Sequence, residues 1–386
     1  MNEPENKALL PAGMSDTLPS DAAFESQVLD ELLSIFSGYG YQQVTPPLIE
    51  FEEGLLTGLG AAMSPQTFRL MDPNSRRMMG VRADMTPQVA RIAASRLKNA
   101  PRPLRLSYAG QVLRITGSQL RPERQLSQVG AELIGVTEAT ADAEVIVMAA
   151  DGLSRLGVTE LSVDLGMPTL VPAVCRDLNV SEDGTGKLRL ALDRKDAAEV
   201  AALSDEVGDE GSKILSAMLL AGGPADKTMD VLNGLNLGPI ADQERHALAE
   251  VVDLVKTAAP DLTITVDPVE NRGFEYHSGV TFTFFVRGVR GELGNGGRYI
   301  AVTANGVEEP STGFNLFMDT VLRALPDYTP QARIFVALGT AKECAEKLRS
   351  EGWAVVSGLR SVENPRHEAT RLQCSHIFSE DAIVKL

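Results

Sequence analysis

The sequence lacks the long apolar runs and the cysteine pattern that would place it in several large protein classes. No stretch approaches the roughly 18 consecutive apolar residues of a membrane-spanning helix, and the start MNEPENKALLPAG lacks the basic and apolar parts of a signal peptide. Its three cysteines, Cys175, Cys344 and Cys374, are widely spaced and odd in number, which fits neither a disulfide framework nor a metal site. We therefore expect a cytoplasmic protein with no metal, no cofactor and no membrane partner.

Positive charge is also scarce and unevenly distributed. The 386 residues include 36 Lys and Arg against 52 Asp and Glu, a formal charge of −16. The 44% of hydrophobic and 23% of charged residues are typical of globular chains, so a wholly disordered or coiled-coil chain is excluded. Residues 69–124 nevertheless carry twelve basic and three acidic residues. This stretch predicts an anion pocket or a docking face for an acidic partner, or else arginines spread over solvated surfaces.

Apolar periodicity predicts an α+β protein. The segment 41–48 contains Pro46 and Pro47, which exclude it from a central ladder and favour a sheet edge or a dimer seam. The predicted helices cover 17–40, 84–98, 139–156 and 313–325, and the predicted strands cover 104–115, 125–136, 160–166, 262–266 and 280–286. Residues 1–169 and 260–326 are predicted as the core, 170–259 as a helical insertion, and 331–386 as a small C-terminal α/β domain.

Familiar catalytic signatures such as a Walker loop, GxSxG or HExxH are absent. The glycine-rich run 291–298 is compatible with an anion-binding nest or with a tight turn between strands. Four other segments combine carboxylates, guanidinium groups, a phenol and an imidazole, the mixture that a zwitterionic amino acid requires. Their candidate residues are Asp84 and Thr86, Arg114 on a predicted strand, Gln128 and Glu132 on its neighbour, and Arg272, Tyr276 and His277.

Each of these residues also has a structural explanation when it is considered alone. Asp84 is placed to cap a helix, Arg114 fits a surface strand position, and Glu132 fits a solvated one. The combination of the four segments is therefore what favours a binding site.

Residues 9 to about 325 resemble the catalytic domain of class II histidyl-tRNA synthetases. That resemblance implies an antiparallel sheet flanked by helices and a pocket for histidine. It rests on five segments in the family's order: GYGYQQVTPPLIEF for the dimer-forming first motif, GVRADMTPQVAR for the amino-acid segment, YAGQVLRITGSQLRPERQLSQVGAELIG for the second motif, ENRGFEYHSGVTF for the histidine-specific segment, and NGGRY with STGFNLFMDTVLRAL for the third motif.

The departures from this family fall on the nucleotide side. In the second motif of the synthetases, an arginine binds the α-phosphate of ATP and a glutamate two residues later holds the adenine. Here Arg114 matches the arginine, but Thr116 stands in place of the glutamate. The third motif normally reads Gly-x-Glu-Arg, and here Phe317 and Thr320 occupy its first and last positions. Threonine offers no planar cation for stacking. On the histidine side, Asp84 replaces a glutamate and His277 stands where a second tyrosine is usual.

A synthetase-like chain that keeps the amino-acid pocket and loses the adenine contacts is similar to the regulatory subunits of ATP phosphoribosyltransferase. The resemblance implies a non-catalytic subunit of histidine biosynthesis that forms homodimers and joins short-form catalytic subunits in a hetero-octamer. It also implies allosteric feedback inhibition by histidine. A divergent histidyl-tRNA synthetase and a free-standing histidine sensor are the alternatives. The tail 331–386, with eight basic and seven acidic residues, offers little electrostatic footing for tRNA.

Overall fold

The computed structural model describes residues 9–56, 58–117, 121–270, 276–302, 306 and 308–386. Its contacts divide the chain into two compact units. The larger unit contains residues up to Thr17 and Glu25–Pro326, and the smaller contains Leu18–Phe24 and Asp327–Leu386. The three-domain division predicted above, with 170–259 as a separate insertion, stays a prediction.

Twelve strands precede residue 326 in the described ranges. They are β1 (Gln42–Gln43), β2 (Ile49–Phe51), β3 (Arg69–Met71), β4 (Met78–Val81), β5 (Leu104–Leu113), β6 (Gln125–Ile134), β7 (Leu161–Gly166), β8 (Gly223–Pro224), β9 (Thr263–Asp267), β10 (His277–Val286), β11 (Gly294–Val302) and β12 (Glu308–Phe317).

The same part of the chain forms eleven α-helices, and a 3₁₀ segment covers Gly58–Gln66. The helices are α1 (Pro19–Gly38), α2 (Glu52–Leu55), α3 (Thr86–Ser95), α4 (Ala139–Arg155), α5 (Leu170–Asp177), α6 (Glu182–Asp193), α7 (Ala197–Ala202), α8 (Ser204–Ala221), α9 (Ala225–Asn233), α10 (Pro239–Ala258) and α11 (Met318–Ala324).

Nine strands form the main sheet of the larger unit, in the order β1-β5-β6-β12-β11-β10-β7-β9-β8. The pairs from β5 to β7 are antiparallel, whereas β1 runs parallel to β5 and β7 runs parallel to β9. The strand β1 lies at the edge, as the prolines after it predict. The carbonyls of Pro46 and Pro47 accept hydrogen bonds from Arg82 and Gln88 instead of pairing in the sheet.

The two faces of the main sheet are covered differently. On one face α1 buries Leu32 and Phe36, and the Phe36 ring meets the edge of Phe314 with centroids 5.4 Å apart. On the other face, Val89 of α3 packs in a core cluster with Tyr108 of β5. Each fully buried large apolar side chain contributes about 1.5–3 kcal/mol to the free energy of folding. This burial holds α3 against the second face of the sheet.

The predicted helix over 313–325 is wrong in its first part. Residues up to Phe317 extend β12, which pairs with β11 on one side and with β6 on the other, and α11 starts only at Met318. Because both sides of this segment are hydrogen-bonded to neighbouring strands, tertiary pairing overrides the helical pattern.

Six helices, α5 to α10, lie between β7 and β9, where helical sequence was predicted, and β8 adds a short strand beside β9. The ammonium of Lys195 lies 2.6 Å from Asp267 of β9, which ties the helical segment to the sheet. The helix α8 is kinked at Gly208, whose φ of 73° is outside helical geometry.

The smaller unit is an α/β sandwich with the order β14-β13-β15-β16. The predicted α/β character of this unit is confirmed, and an antiparallel strand, β16, lies at one edge of the sheet. Apolar clusters lie on both faces, one beneath each helix. The elements are β13 (Arg333–Val336), α12 (Lys342–Ser350), β14 (Ala354–Ser357), α13 (Pro365–Arg371), β15 (His376–Ser379) and β16 (Ala382–Lys385).

Candidate functional site

Strand register brings the candidate residues of different segments onto one face of the main sheet. Glu132 of β6 is paired with Gly313 of β12, and Gly313 is paired with Gly297 of β11. Side chains of paired residues point to the same face, so β6, β12 and β11 together build one floor. The N-terminal end of α3 lies above this floor, because Thr86 at its first residue bonds Glu132.

The Glu132 carboxyl is the centre of this site and is only 1% exposed. Its Oε1 accepts hydrogen bonds from the hydroxyls of Thr86 and Tyr108, each at 2.8 Å, and its Oε2 accepts one from Tyr299 at 2.9 Å. Burial raises the pKa of Glu132 to about 7, although the three hydroxyl donors lower it and the Asp84 charge raises it further. The sequence interpretation of Glu132 as a solvated side chain is therefore wrong.

Asn315 extends the network around Glu132. Its Oδ1 lies 2.7 Å from the Tyr108 hydroxyl, and its Nδ2 donates to the Thr86 hydroxyl at 3.2 Å. Burial, reinforced by the Glu132 charge, raises the pKa of Tyr108 well above its ordinary value, so this phenol stays a hydrogen-bond donor. The network holds the buried carboxyl in one orientation.

Two glycines make room for the side chains of the site. A Cβ added at Gly313 would lie 1.9 Å from Oε2 of Glu132, and one at Gly297 would lie 2.7 Å from the His277 imidazole. The run 291–298 was predicted as an anion nest or a tight turn, but Gly294 onward is the strand β11. Glycine within a strand marks a close approach of another group, and here those groups are a carboxylate and an imidazole.

A second carboxylate, Asp84, lies beside the start of α3. Its Oδ1 accepts from the Thr86 backbone N–H at 2.8 Å and from the Gln128 amide at 3.3 Å. The other end of the Gln128 amide accepts from the Met85 N–H at 3.0 Å. Both ends of this amide are thus used within the protein, and Gln128 positions Asp84 rather than facing an open space.

Tyr276 and His277 form the far wall of the site. His277 is buried and pairs with Tyr299, but a bulge between His277 and Thr281 shifts the register of β10. The Tyr276 ring lies 4.0 Å from that of His277, and 46% of Tyr276 is exposed. Together with Glu132, these residues line a narrow cleft with about 10 Å³ of free volume. Arg272, another candidate residue from the sequence, lies outside the described residues.

Arg114 is placed differently from the sequence prediction. It was expected on a strand, but β5 ends at Leu113 and Arg114 is the next residue. Its backbone N–H donates to Arg124 at 2.7 Å, and its Nε reaches the Ala83 carbonyl at 3.4 Å. The guanidinium therefore lies beside the segment that carries Asp84.

The three positions that depart from the synthetase pattern on the nucleotide side are occupied by side chains that already contact other residues of the chain. Thr116 is exposed and its hydroxyl donates to Gln66 at 3.2 Å. Thr320 is fully buried and donates to Asp319 at 3.2 Å. Phe317 is buried, and its ring is covered by the guanidinium of Arg121, whose Cζ lies 3.7 Å from the ring centroid.

Arg121 is a residue of this region that sequence reasoning missed. It is 6% exposed, and its guanidinium lies 3.1 Å from the Glu292 carboxylate and 3.5 Å from that of Asp319. Tyr108, Tyr299 and Asn315 were missed as well. All four residues lie inside the motifs quoted above, so a search of every polar residue in those motifs would have included them. Only the fold shows which of these side chains point into the site.

The cleft offers charged and hydrogen-bonding groups to a ligand. Its carboxylates suit an ammonium or imidazolium group, and its hydroxyl groups hold those carboxylates in place. Among the described residues, no group of three His, Cys, Asp or Glu side chains is arranged to hold a metal ion. No helix in the described ranges has the length and apolar character needed to cross a membrane.

The basic stretch 69–124 is not a free positive surface. Six of its arginines form ion pairs with carboxylates from outside the stretch. Much of its positive charge is therefore neutralised within the chain, which argues against a docking face toward an acidic partner. The pairs are Arg69 with Glu52, Arg77 with Glu53, Arg91 with Glu50, Arg102 with Glu309, Arg105 with Glu144, and Arg121 with Glu292 and Asp319.

Comparison with known proteins identifies similar chains over almost the full length. The family model described as histidyl-tRNA synthetase matches residues 13–321. A protein of Paramagnetospirillum magneticum named ATP phosphoribosyltransferase regulatory subunit is 54% identical over 100% of both chains. One of the same name from Rhodospirillum centenum is 52% identical over 98% of this chain and 96% of its own.

A solved structure from Bacillus halodurans has the same fold. It is described as an ATP phosphoribosyltransferase regulatory subunit/histidyl-tRNA synthetase, and it matches with a TM-score of 0.82 at 26% identity. The match covers 96% of this chain and 97% of the other. The sequence expectation of a class II synthetase-like fold with a small C-terminal α/β unit is confirmed.

Proposed function

Since this chain belongs to the family of ATP phosphoribosyltransferase regulatory subunits, we propose that it is a non-catalytic subunit required by a separate short-form catalytic subunit, and that it transmits feedback inhibition by histidine. The observation that carries this proposal is a contrast between two parts of one face of the main sheet. The amino-acid side keeps a complete hydrogen-bond network around Glu132, whereas the nucleotide side is filled by Arg121 and Phe317. The proposal includes a cytoplasmic location.

The buried carboxylate supports histidine as the effector. Glu132 and Asp84 are assigned to the ammonium or imidazole of histidine, and Arg272 to its carboxylate. Tyr276 is assigned to the face of the imidazole ring, with His277 packed behind it at 4.0 Å. Thr86 and Gln128 act through the two carboxylates, since their side chains already bond Glu132 and Asp84. A charge-assisted contact of this kind is worth about 1.5–3 kcal/mol.

The filled nucleotide side supports the proposal that this chain has no catalytic activity of its own. An adenine ring stacks on a planar cation or ring, and here the face of Phe317 is already covered by Arg121. Moving Arg121 aside would separate a buried guanidinium from Glu292 and Asp319, which is costly. Thr116 and Thr320 provide no replacement for the contacts that the synthetase pattern assigns to a glutamate and an arginine.

Self-association is the second part of the assembly that we propose. A separate three-stranded sheet, β2-β4-β3, carries large apolar side chains that are more than a third exposed. The strand register places Ile49 and Phe51 on one face of this sheet and Met71 and Met78 on the other. Exposed apolar side chains at this density are typical of an interaction site. We assign it to a homodimer that joins catalytic subunits in a hetero-octamer. The exposed residues of the sheet are Ile49, Phe51, Met71 and Met78, and the exposed Leu48 directly precedes β2.

Regulation requires that histidine distinguish two states of this assembly. Its affinity for the inhibited and the active assembly must differ by about 1–3 kcal/mol, because a ligand with equal affinity for both shifts nothing.

The test is phosphoribosyl transfer to ATP by the short-form catalytic subunit, measured alone, with this protein, and with added histidine. We expect strong activation that histidine suppresses. The Glu132→Gln variant should need about tenfold or more histidine for the same suppression, whereas Glu250→Gln, an exposed change on α10, should behave as wild type. The absence of activation and of a complex would overturn the proposal. Histidine-dependent pyrophosphate exchange with ATP would instead favour a synthetase.

A further inference from the structure

An open groove of about 440 Å³ lies away from the Glu132 cleft. It runs between the C-terminal half of α4, the end of α10 and the first residues of β7 and β9, and we call it the α4–α10 groove. Its size is within the usual range of sites that receive a small ligand or a few side chains of a partner. None of its lining residues has a role in the site described above.

The α4–α10 groove combines an apolar floor with an acidic rim. Val158 and Leu161 belong to the floor and are buried. Asp151, Glu160 and Asp261 carry the carboxylates of the rim. The charge of Asp151 is matched inside the protein, since it bonds the Tyr39 hydroxyl at 3.1 Å and Arg155 at 2.9 Å, so the unbalanced charge belongs to the other two.

Glu160 and Asp261 are both exposed at the rim. The ion pair of Glu160 is with Arg287 at 3.9 Å, and both side chains are largely exposed, at 64% and 83%. A contact of this length between exposed side chains contributes little and is easily exchanged for another cation. The rim therefore offers its negative charge to an incoming group.

The chemistry of the groove selects the occupant. A lysine or arginine packs its methylene stem on apolar atoms while its charged end reaches carboxylates, which is the pattern of floor and rim found here. Long-range charge acts in the same direction. The chain carries −16 overall, and six arginines of its basic stretch are paired internally, so a basic partner surface is attracted to it.

We propose that the α4–α10 groove is a docking site for a basic segment of the catalytic subunit, with a lysine or arginine inserted between Glu160 and Asp261. The proposal rests on the proposed function, because it takes the catalytic subunit as the partner. It places the contact away from the basic stretch 69–124, for which a docking face toward an acidic partner was one of the alternatives predicted from sequence.

The test compares two double variants of equal charge in the full-length chain. Glu160→Gln with Asp261→Asn neutralises the rim, and Asp209→Asn with Glu250→Gln removes two exposed carboxylates from the helices between β7 and β9. Binding of the purified catalytic subunit is measured by calorimetry at low and high ionic strength. We expect the rim variant to bind about fivefold or more weakly at low ionic strength, with a smaller salt dependence, and the control to stay within about twofold of wild type.

A third variant tests the space rather than the charge. Ser154→Arg places a bulky cation at the mouth of the groove from an exposed position of α4 and should weaken binding more than the rim variant does. Far-UV circular dichroism of each variant reports whether it is folded. If the wild type forms a complex and the rim variant and Ser154→Arg bind equally well, the groove is refuted while the proposed function stands. If the wild type forms no complex, both fail.

Discussion

Replacing Glu132 by glutamine keeps the shape of a carboxyl that is 1% exposed and removes its charge. The pKa of this group is raised from 4.5 to about 7 by burial. Between these two pH values the native chain holds a proton that the unfolded chain releases, so the stability of the wild type falls as the pH rises across this window. The loss is complete above pH 7. For a shift of this size it amounts to about 3 kcal/mol.

The glutamine variant has no such pH dependence. Its amide can still accept from Thr86 and Tyr108, but its NH₂ group meets the Tyr299 hydroxyl, which donates to Oε2 in the wild type, and this mismatch costs about 1 kcal/mol. We therefore expect the variant to be about 1 kcal/mol less stable than wild type near pH 4.5, where Glu132 is protonated. At about pH 8 it should be about 2 kcal/mol more stable.

Histidine binding should change in the opposite direction. At about pH 8 the ionised carboxylate is available to a cationic group, and its loss should weaken histidine binding by about 10- to 100-fold. The prediction is thus a variant that is more stable and less responsive, which is the trade-off expected when a buried charge serves binding rather than folding.

Urea unfolding at both pH values and calorimetric titration with histidine provide the assays. The single tryptophan, Trp353, lies in the smaller unit, so far-UV circular dichroism is the appropriate signal for the larger one. Glu250→Gln is the matched control and should show no crossover with pH. An equal stability difference at both pH values would refute the account of Glu132, and an unchanged histidine affinity would remove the cleft as the effector site.

Three further changes test the packing of the same unit by urea unfolding. Gly313→Ala should lower the free energy of unfolding by about 1–3 kcal/mol and weaken histidine binding, because the new Cβ would lie 1.9 Å from Glu132. An unchanged stability would contradict this close packing. Arg121→Ala should lower the free energy of unfolding by about 2–3 kcal/mol. Arg121→Lys should restore only part of this stability, because lysine lacks the planar group that stacks on Phe317. Full restoration by lysine would argue against stacking. Arg298→Ala should lower the free energy of unfolding by about 3–5 kcal/mol, because it leaves Asp142 buried without the guanidinium that lies 2.7 Å away. A loss of stability below about 1 kcal/mol would show that water reaches the Asp142 carboxylate.

Much of the secondary structure could be predicted from local patterns. The helices α1, α3 and α4 lie within the predicted ranges 17–40, 84–98 and 139–156, and the pair of strands β5 and β6 ends about two residues earlier than predicted. These elements have apolar residues at one clear period, so the chain near each residue is enough to define them. The segment 313–317 was mispredicted because it is held between the preceding strand β11 and the strand β6, and β6 lies far earlier in the sequence.

The sequence by itself determined the family, the class of fold and the segments that build the cleft around Glu132, because motif order and residue type are properties of the chain. Only the tertiary structure decided the states of those residues. It buries Glu132 among three hydroxyls, places Arg121 on Phe317, and pairs Arg102 with Glu309 across 207 positions. Burial and Coulomb interactions depend on distance in space, which the order of residues does not specify, and so pKa values and surface charge had to be obtained from the fold.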